Sequence, residues 1–149
     1  MGPDREGGPS SPGPPDRRTL RLLERRLADD PLVAGSAFDP DSTEPRVLEA
    51  RLDSDLFSPS IDGARFDIRW FTTADFTIHY VETGADGHRW ECRWDRHPNP
   101  HDPRLHFHYP PDGTETAALE LPSVHPLDVI ATALAAVEER IDRAWDARD

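Results

Sequence analysis

The segment from Trp90 to Tyr109 contains four of the seven histidines of the chain, its only cysteine and two of its four tryptophans. Imidazole and carboxylate groups can transfer protons, guanidinium groups can hold phosphate, and imidazole or thiolate groups can bind metals. Aromatic rings can stack on nucleic-acid bases. These residue types predict a functional site in this segment, although they fit several kinds of chemistry.

Metal-free cleavage of RNA is one reaction that such residues can support, because it needs a general base, a general acid and a cation near the phosphate. In this hypothesis Glu91 or His79 takes the 2′-hydroxyl proton. His106 or His108 protonates the leaving oxygen, and Arg93 holds the phosphate. The predicted catalytic residues are His79, Glu91, Arg93, His106 and His108, with Arg69 as a second phosphate ligand and no cofactor.

Two other interpretations of these residues stay open. Alternating Arg, Glu and Asp side chains on an exposed sheet face are typical of ordinary cross-strand charge pairing. Alternatively, His106 and His108 can bind a transition metal together with His79, His97 or His101, because imidazole ligands often lie on adjacent strands. The spacing matches no recognised zinc motif, and no metal is included in the predicted site.

Period-two alternation predicts the strands that must position these side chains. Strands are predicted over residues 47–52, 66–70, 76–81, 90–95 and 105–109. Residues Ala85-Asp86-Gly87 fit a three-residue hairpin with a left-handed glycine. This turn predicts that His79 faces Arg93, whereas a two-residue slip would place it opposite Glu91. In the same register Cys92 points to the apolar face and is predicted to be a small core residue.

Two amphipathic helices are predicted at the ends of the domain. The first begins at Asp16 with three leucines on one face, and it ends at Asp30-Pro31 because the residue before proline avoids helical geometry. The second begins at Pro126 and has apolar residues at spacings of three and four. The predicted fold is α+β, with an antiparallel meander sheet of four to five strands covered on one face by the N- and C-terminal helices in two layers.

The opposite face of the sheet is then left to polar residues. A bulge between residues 98 and 103 would invert the fourth strand of the meander, so the prediction requires that this strand keeps its phase. With that phase, the open face presents Asp67, Arg69, His79, Glu91, Arg93, Asp95, His106 and His108.

The composition predicts a single acidic domain. Acidic residues outnumber basic ones by 29 to 17, the formal net charge is −12, and no lysine occurs. Such a charge is tolerated best at about 1 M salt, where the Debye length is roughly 3 Å, so a halophilic protein with an acidic surface is favoured. A GC-rich genome would produce a similar composition.

Residues 1–15 are rich in Gly and Pro and are predicted to be a disordered tail, followed by one α+β domain over residues 16–149. A single cysteine excludes an internal disulfide framework. No apolar run approaches the roughly 20 residues of a membrane span, and the first residues do not resemble a leader. The expectation is a cytoplasmic protein without membrane contact.

The run from His79 through the Asp86-Gly87 turn to Arg93-Trp94-Asp95, followed by a Pro- and His-rich loop and Leu105-His106-Phe107-His108, resembles the TumE-type family. This resemblance extends from about residue 65 to about residue 110. Members of the family are regarded as toxins of two-gene toxin and antitoxin pairs, so the resemblance implies a cognate antitoxin as partner. The chain is also similar to uncharacterised small acidic proteins of extreme halophiles.

The family resemblance implies functional roles for particular residues. Arg96 stands where the family commonly has an asparagine, and the paired histidines of its loop are separated here as His97 and His101. The positions carried over are Arg93, Asp95, His101, His106 and His108, and the predicted substrate-binding residues are Arg69, Asp95 and His101.

Two functions from different classes follow from these observations. The first is a toxin of a two-gene pair that acts as a metal-independent ribonuclease on RNA. The alternative is a non-enzymatic cytoplasmic protein of a halophile that binds a metal or a protein partner. A third interpretation is an inactive relative that uses the fold as an interaction module. No oligomeric state is predicted.

Overall fold

The computed structural model describes residues 13–97 and 105–148. These residues form a seven-stranded antiparallel sheet and two helices, with a short 3₁₀ turn at Ser54–Leu56. In chain order the elements are α1 (Arg17–Ala28), β1 (Val33–Asp39), β2 (Val47–Leu52), β3 (Ile61–Trp70), β4 (Phe76–Gly84), β5 (Arg89–Arg96), β6 (Leu105–His108), β7 (Thr116–Ala118) and α2 (Pro126–Arg148).

Helix α1 lies where the sequence predicts it. Asp16 caps the helix, because its carboxylate accepts a hydrogen bond from the backbone N–H of Thr19 at 3.0 Å. Leu20, Leu23 and Leu27 recur at spacings of three and four, and all three are fully buried. These leucines attach the helix to the sheet.

The strand count corrects the prediction of four to five strands. All seven strands pair in sequence order, so the sheet is a continuous meander. Two strands were missed, β1 and β7. In β1 a register shift between Val33 and Gly35 disrupts the alternation that identifies a strand, and β7 has only three residues. The α+β class, the antiparallel meander and the two helices are confirmed.

The hairpin between β4 and β5 has the predicted register. His79 pairs with Arg93, and Tyr80 pairs with Cys92. The backbone N–H of Gly84 donates to the carbonyl of His88 at 2.7 Å, which closes a three-residue loop. Gly87 in that loop has φ of 88°, in the left-handed region that favours glycine.

The hydrophobic core lies between one face of the sheet and the helices. Side chains of β2 to β5 alternate into this layer, and α2 contributes an apolar stripe at helical spacing. Helix α1 packs against β1, β2 and β3 and also contacts α2. The fully buried side chains include Tyr80, Phe66, Phe76, Leu48, Ile68, Ile78 and Ile130.

The predicted tail over residues 1–15 falls mostly outside the described part of the chain. Pro14 and Pro15, which are described, lie beside the turn after β3: the carbonyl of Pro14 accepts from the N–H of Thr72 at 2.9 Å, and Pro15 forms an isolated bridge with Phe71. In the described residues, neither helix is long and apolar enough to cross a membrane.

Candidate functional site

The open face of the sheet brings the predicted site residues into two neighbouring rows. Each row crosses the strands at right angles, because directly paired residues of an antiparallel sheet point to the same face. The pairings run from Asp67 to His79, Arg93 and His108 in one row, and from Arg69 to Thr77, Asp95 and His106 in the next. The strand β6 therefore keeps the phase that the sequence analysis required.

His79 and Glu91 form one hydrogen-bonded pair on this face. They are not direct partners in the sheet, since His79 pairs with Arg93 and Glu91 pairs with Val81. The two side chains nevertheless reach each other along the diagonal between the strands, and His79 Nε2 lies 2.7 Å from Glu91 Oε1. Each side chain is 24% exposed, so the pair is accessible to a ligand.

Asp95 is the centre of a second, more buried group. Asp95 is only 4% exposed, although it lies on the open face. Arg93 Nε donates to Asp95 Oδ2 at 2.9 Å, and His108 Nε2 lies 2.8 Å from the same oxygen. His108 Nδ1 also faces the carbonyl oxygen of Gly113 at 3.3 Å. These contacts hold the imidazole of His108 in one orientation.

Two polar atoms beside this group have no hydrogen-bond partner among the described residues, namely Asp95 Oδ1 and His106 Nδ1. Both atoms are buried, and buried polar groups of native proteins usually have a partner. The ring of His106 stacks on that of His97 at a centroid distance of 5.4 Å. His101 falls outside the described residues.

A groove with a volume of about 530 Å³ occupies the open face next to these pairs. His79 and Arg93 line one side, and Arg69 lies beside them. The far wall comes from β1 and β2 and includes Asp39 and Glu49. The full lining is Ala37, Phe38, Asp39, Val47, Glu49, Asp67, Arg69, Thr77, His79 and Arg93.

The wall formed by β1 was missed by the sequence analysis. Asp39 and Phe38 reach the groove only because β1 pairs with β2, where Ala37 lies opposite Glu49. The broken alternation of β1 contains no signal for this pairing. The one local indication is the extended, uncharged run that ends at Asp39.

Charge pairing of an ordinary kind is also present on this face. Arg65 Nε lies 3.2 Å from Asp67 Oδ2 and 3.9 Å from Glu49 Oε2. Both contacts are partly exposed, and such pairs typically contribute about 0–1 kcal/mol. The open face therefore has a paired acidic side around Asp67 and a histidine-rich side around Asp95.

Cys92 lies on the helix-covered face, as the register predicts. It is 5% exposed, and burial raises the pKa of its thiol to about 12. The prediction of a small core residue is confirmed. Within the described ranges, no group of three or more His, Cys, Asp or Glu side chains could hold a metal ion.

A family model described as "Toxin TumE" matches residues 23–141, a region that includes all seven strands. The match places the protein among the toxins of toxin–antitoxin systems, and such a system implies a cognate antitoxin as partner.

The chain belongs to the TumE toxin family. The matched region is wider than the resemblance in the sequence analysis, because it also includes β1, β2, β7 and most of α2. Searches of curated proteins and of solved structures found no match.

Proposed function

We propose that this toxin is a metal-independent ribonuclease whose site is the open face of β3 to β6. One observation carries the proposal: two histidines flank Arg93 in a single row, and each has a ring nitrogen within 2.8 Å of a carboxylate oxygen. His79 is held by Glu91, and His108 is held by Asp95. Such pairs supply the oriented proton acceptor and proton donor that phosphodiester cleavage requires.

The pair of His79 and Glu91 acts as the general base. Glu91 orients the imidazole, and the pair accepts the proton of the ribose 2′-hydroxyl. The 2′-oxygen then attacks phosphorus, which forms a new phosphorus–oxygen bond within the same nucleotide. Both side chains are partly exposed, and His79 lines the groove, where a substrate hydroxyl can reach it.

His108 acts as the general acid. It donates the Nδ1 proton to the 5′-oxygen, in exchange for the 3.3 Å contact of Nδ1 with the Gly113 carbonyl. The bond between phosphorus and that oxygen then breaks, leaving a 2′,3′-cyclic phosphate and a free 5′-hydroxyl. Asp95 is only 4% exposed, and we assign it a positioning role because its Oδ2, which lies 2.8 Å from Nε2, holds the imidazole of His108 in place. This role differs from the substrate-binding role expected for Asp95 from the sequence.

Arg93 and Arg69 hold the phosphate. Arg93 lies between the two histidines in the row, and a guanidinium group there stabilises the negative charge that develops on the phosphate oxygens. His79 and His108 lie two strands apart, which separates their backbones by about 10 Å. That separation leaves room for one phosphate group between the rings. His106 and His101 remain proposed as catalytic and substrate-binding residues, respectively.

Cleavage of a single-stranded RNA by the purified full-length chain in the presence of EDTA tests the proposal. The wild type is expected to cleave, and His79→Asn and His108→Asn are each expected to reduce the rate by about 10²- to 10⁴-fold. Products that end in a 2′,3′-cyclic phosphate would support the proposed attack.

His88→Asn is the matched control, because His88 lies in the exposed β4–β5 turn with 87% of its side chain accessible. It should cleave at the wild-type rate. Circular dichroism checks that each variant is folded. Full activity of both site variants, or no cleavage by a folded wild type that arrests growth, would refute the ribonuclease proposal.

A further inference from the structure

The two helices cover only part of the sheet face on which they pack. Seven strands at about 4.8 Å spacing place the outermost strands about 29 Å apart, whereas two helices of about 10 Å diameter cover only about 20 Å. Helix α1 packs on β1 to β3, and Arg140 of α2 reaches Glu82 on β4 and Trp90 on β5. The strand β6 is only partly covered, since Leu105 and Phe107 are half-buried against the edge of the core.

A groove of about 630 Å³ lies between α2 and β6, and we call it the α2–β6 groove. Its floor is aromatic: Phe107 and Tyr109 are in edge-on contact at 4.9 Å, and Tyr109 is 44% exposed. Ala136 and Ala144 form the wall on α2. Exposed aromatic surface of this kind is typical of the centres of protein interfaces.

Two arginines, Arg140 and Arg143, and one carboxylate, Glu139, line this groove in an otherwise acidic chain. Arg143 lies at the rim, and its side chain is 77% exposed. Its contact with Glu139 at 3.5 Å is also highly exposed and therefore weak. Against the net charge of −12, this arginine favours a partner segment with a carboxylate beside its apolar residues.

We propose that the α2–β6 groove is the docking surface for the cognate antitoxin, which inserts an amphipathic helical segment with an acidic residue next to Arg143. The small Ala136 permits close approach of a helix to α2. A helix in this position would extend the second layer over β6. The proposal rests on membership of the toxin family and is independent of RNA cleavage.

The backbone connects this groove to the open face on the other side of the sheet. Tyr109 and Pro110 line the groove, and the loop that they begin continues to Pro111 and Gly113. The carbonyl of Pro111 accepts from the N–H of Glu91 at 2.8 Å, and the carbonyl of Gly113 faces His108 Nδ1. A partner that moves this loop therefore displaces Glu91 and His108, two proposed catalytic residues, from the opposite face of the sheet.

Binding of the full-length chain to the protein encoded by the adjacent gene tests the docking surface by calorimetry. Ala136→Arg fills the groove and is expected to raise Kd by about tenfold or more. Ala135→Arg is the matched control, because Ala135 is the neighbouring exposed alanine on the opposite flank of α2. Arg143→Glu should also weaken binding.

Hydrogen exchange of the complex provides a second measurement. Protection is expected over residues 105–113 and 136–145. Equal affinity of the Ala136→Arg and Ala135→Arg variants, or protection confined to β1 or the open face, would overturn the proposal. Loss of self-association in Ala136→Arg without loss of partner binding would assign the groove to a second copy of this chain, and the absence of any complex would also refute it.

Discussion

Two buried carboxylates lie on opposite faces of the sheet, and their surroundings differ. Glu82 lies on the helix-covered face and is 2% exposed; Asp95 lies on the open face and is 4% exposed. Arg140 donates to both oxygens of Glu82, at 2.7 and 2.8 Å, and Tyr80 donates to Oε2 at 2.6 Å. Asp95 uses Oδ2 for its contacts, while Oδ1 has no partner among the described residues.

This difference separates a structural carboxylate from a candidate functional one. Both oxygens of Glu82 are satisfied by groups from its own strand and from α2, so it joins the helix to the sheet and leaves no acceptor for a ligand. Burial, followed by the charge of Glu82, raises the pKa of Tyr80. Asp95 instead orients a partly accessible histidine beside a groove.

The largest expected effect on stability comes from Glu82→Gln. Breaking a fully buried charge pair costs roughly 3–5 kcal/mol, and the 31% exposure of the Arg140 side chain reduces the expected loss here to about 2–3 kcal/mol. Urea denaturation at fixed salt concentration measures it. Cleavage per folded molecule should not change. A loss of activity with unchanged stability would reverse the roles assigned to the two carboxylates.

A smaller loss of stability, about 1–2 kcal/mol, is expected for Asp95→Asn, because the amide keeps part of the hydrogen bonding around Arg93 and His108. The effect on catalysis should be larger, with a kcat about 10- to 100-fold lower and a nearly unchanged KM, since the amide holds the imidazole of His108 less firmly and does not contact the substrate. Steady-state kinetics separates kcat from KM. An increase in KM at wild-type kcat would argue against the positioning role.

The pH dependence of stability tests whether water reaches the thiol of Cys92 on the helix-covered face. Its pKa is about 12 in the folded chain and about 8.5 when unfolded. Since only the unfolded thiol ionises between these values, stability is complete below about pH 8.5 and falls by about 1 kcal/mol per unit as the pH rises above 9. This contribution is absent in Cys92→Ala, so the difference between the wild-type and variant stability curves should show the fall. Parallel stability curves for wild type and variant would show a hydrated thiol.

The smallest effect is expected for Glu139→Gln on the exposed surface of α2. Glu139 and Arg143 form an i,i+4 pair at 3.5 Å with side chains that are 67% and 77% exposed. Such pairs contribute about 0.3–0.5 kcal/mol. Urea denaturation should therefore give a midpoint close to that of the wild type. A loss of stability as large as that of Glu82→Gln would show that burial does not explain the difference between the Glu82–Arg140 and Glu139–Arg143 pairs.

Much of the central sheet could be predicted because its signals are local. The alternation in β3, β4 and β5 assigns each side chain to a face, and the Ala85–Gly87 turn sets the register of His79 against Arg93. The edge strand β1 gave no such signal, since a bulge between Val33 and Gly35 breaks its alternation. Its existence depends on pairing with β2.

The candidate site was predicted as a set of residues on one face, and the structure brings the described ones together there. The contacts within that set were not predictable. The bond between His79 and Glu91 is diagonal in the sheet, and the shared oxygen of Asp95 joins residues from β5 and β6. Both depend on strand twist and rotamer, which a period-two pattern does not specify.

The sequence by itself determined the α+β class, the helix positions, the face of each central residue and the register of the main hairpin, because each of these follows from periodicity or a short turn. Tertiary structure decided which carboxylates are buried and satisfied. Glu82 and Arg140 are 58 residues apart in the chain, and only the packing of α2 on the sheet brings their charges together. The two grooves likewise exist only where separate elements meet.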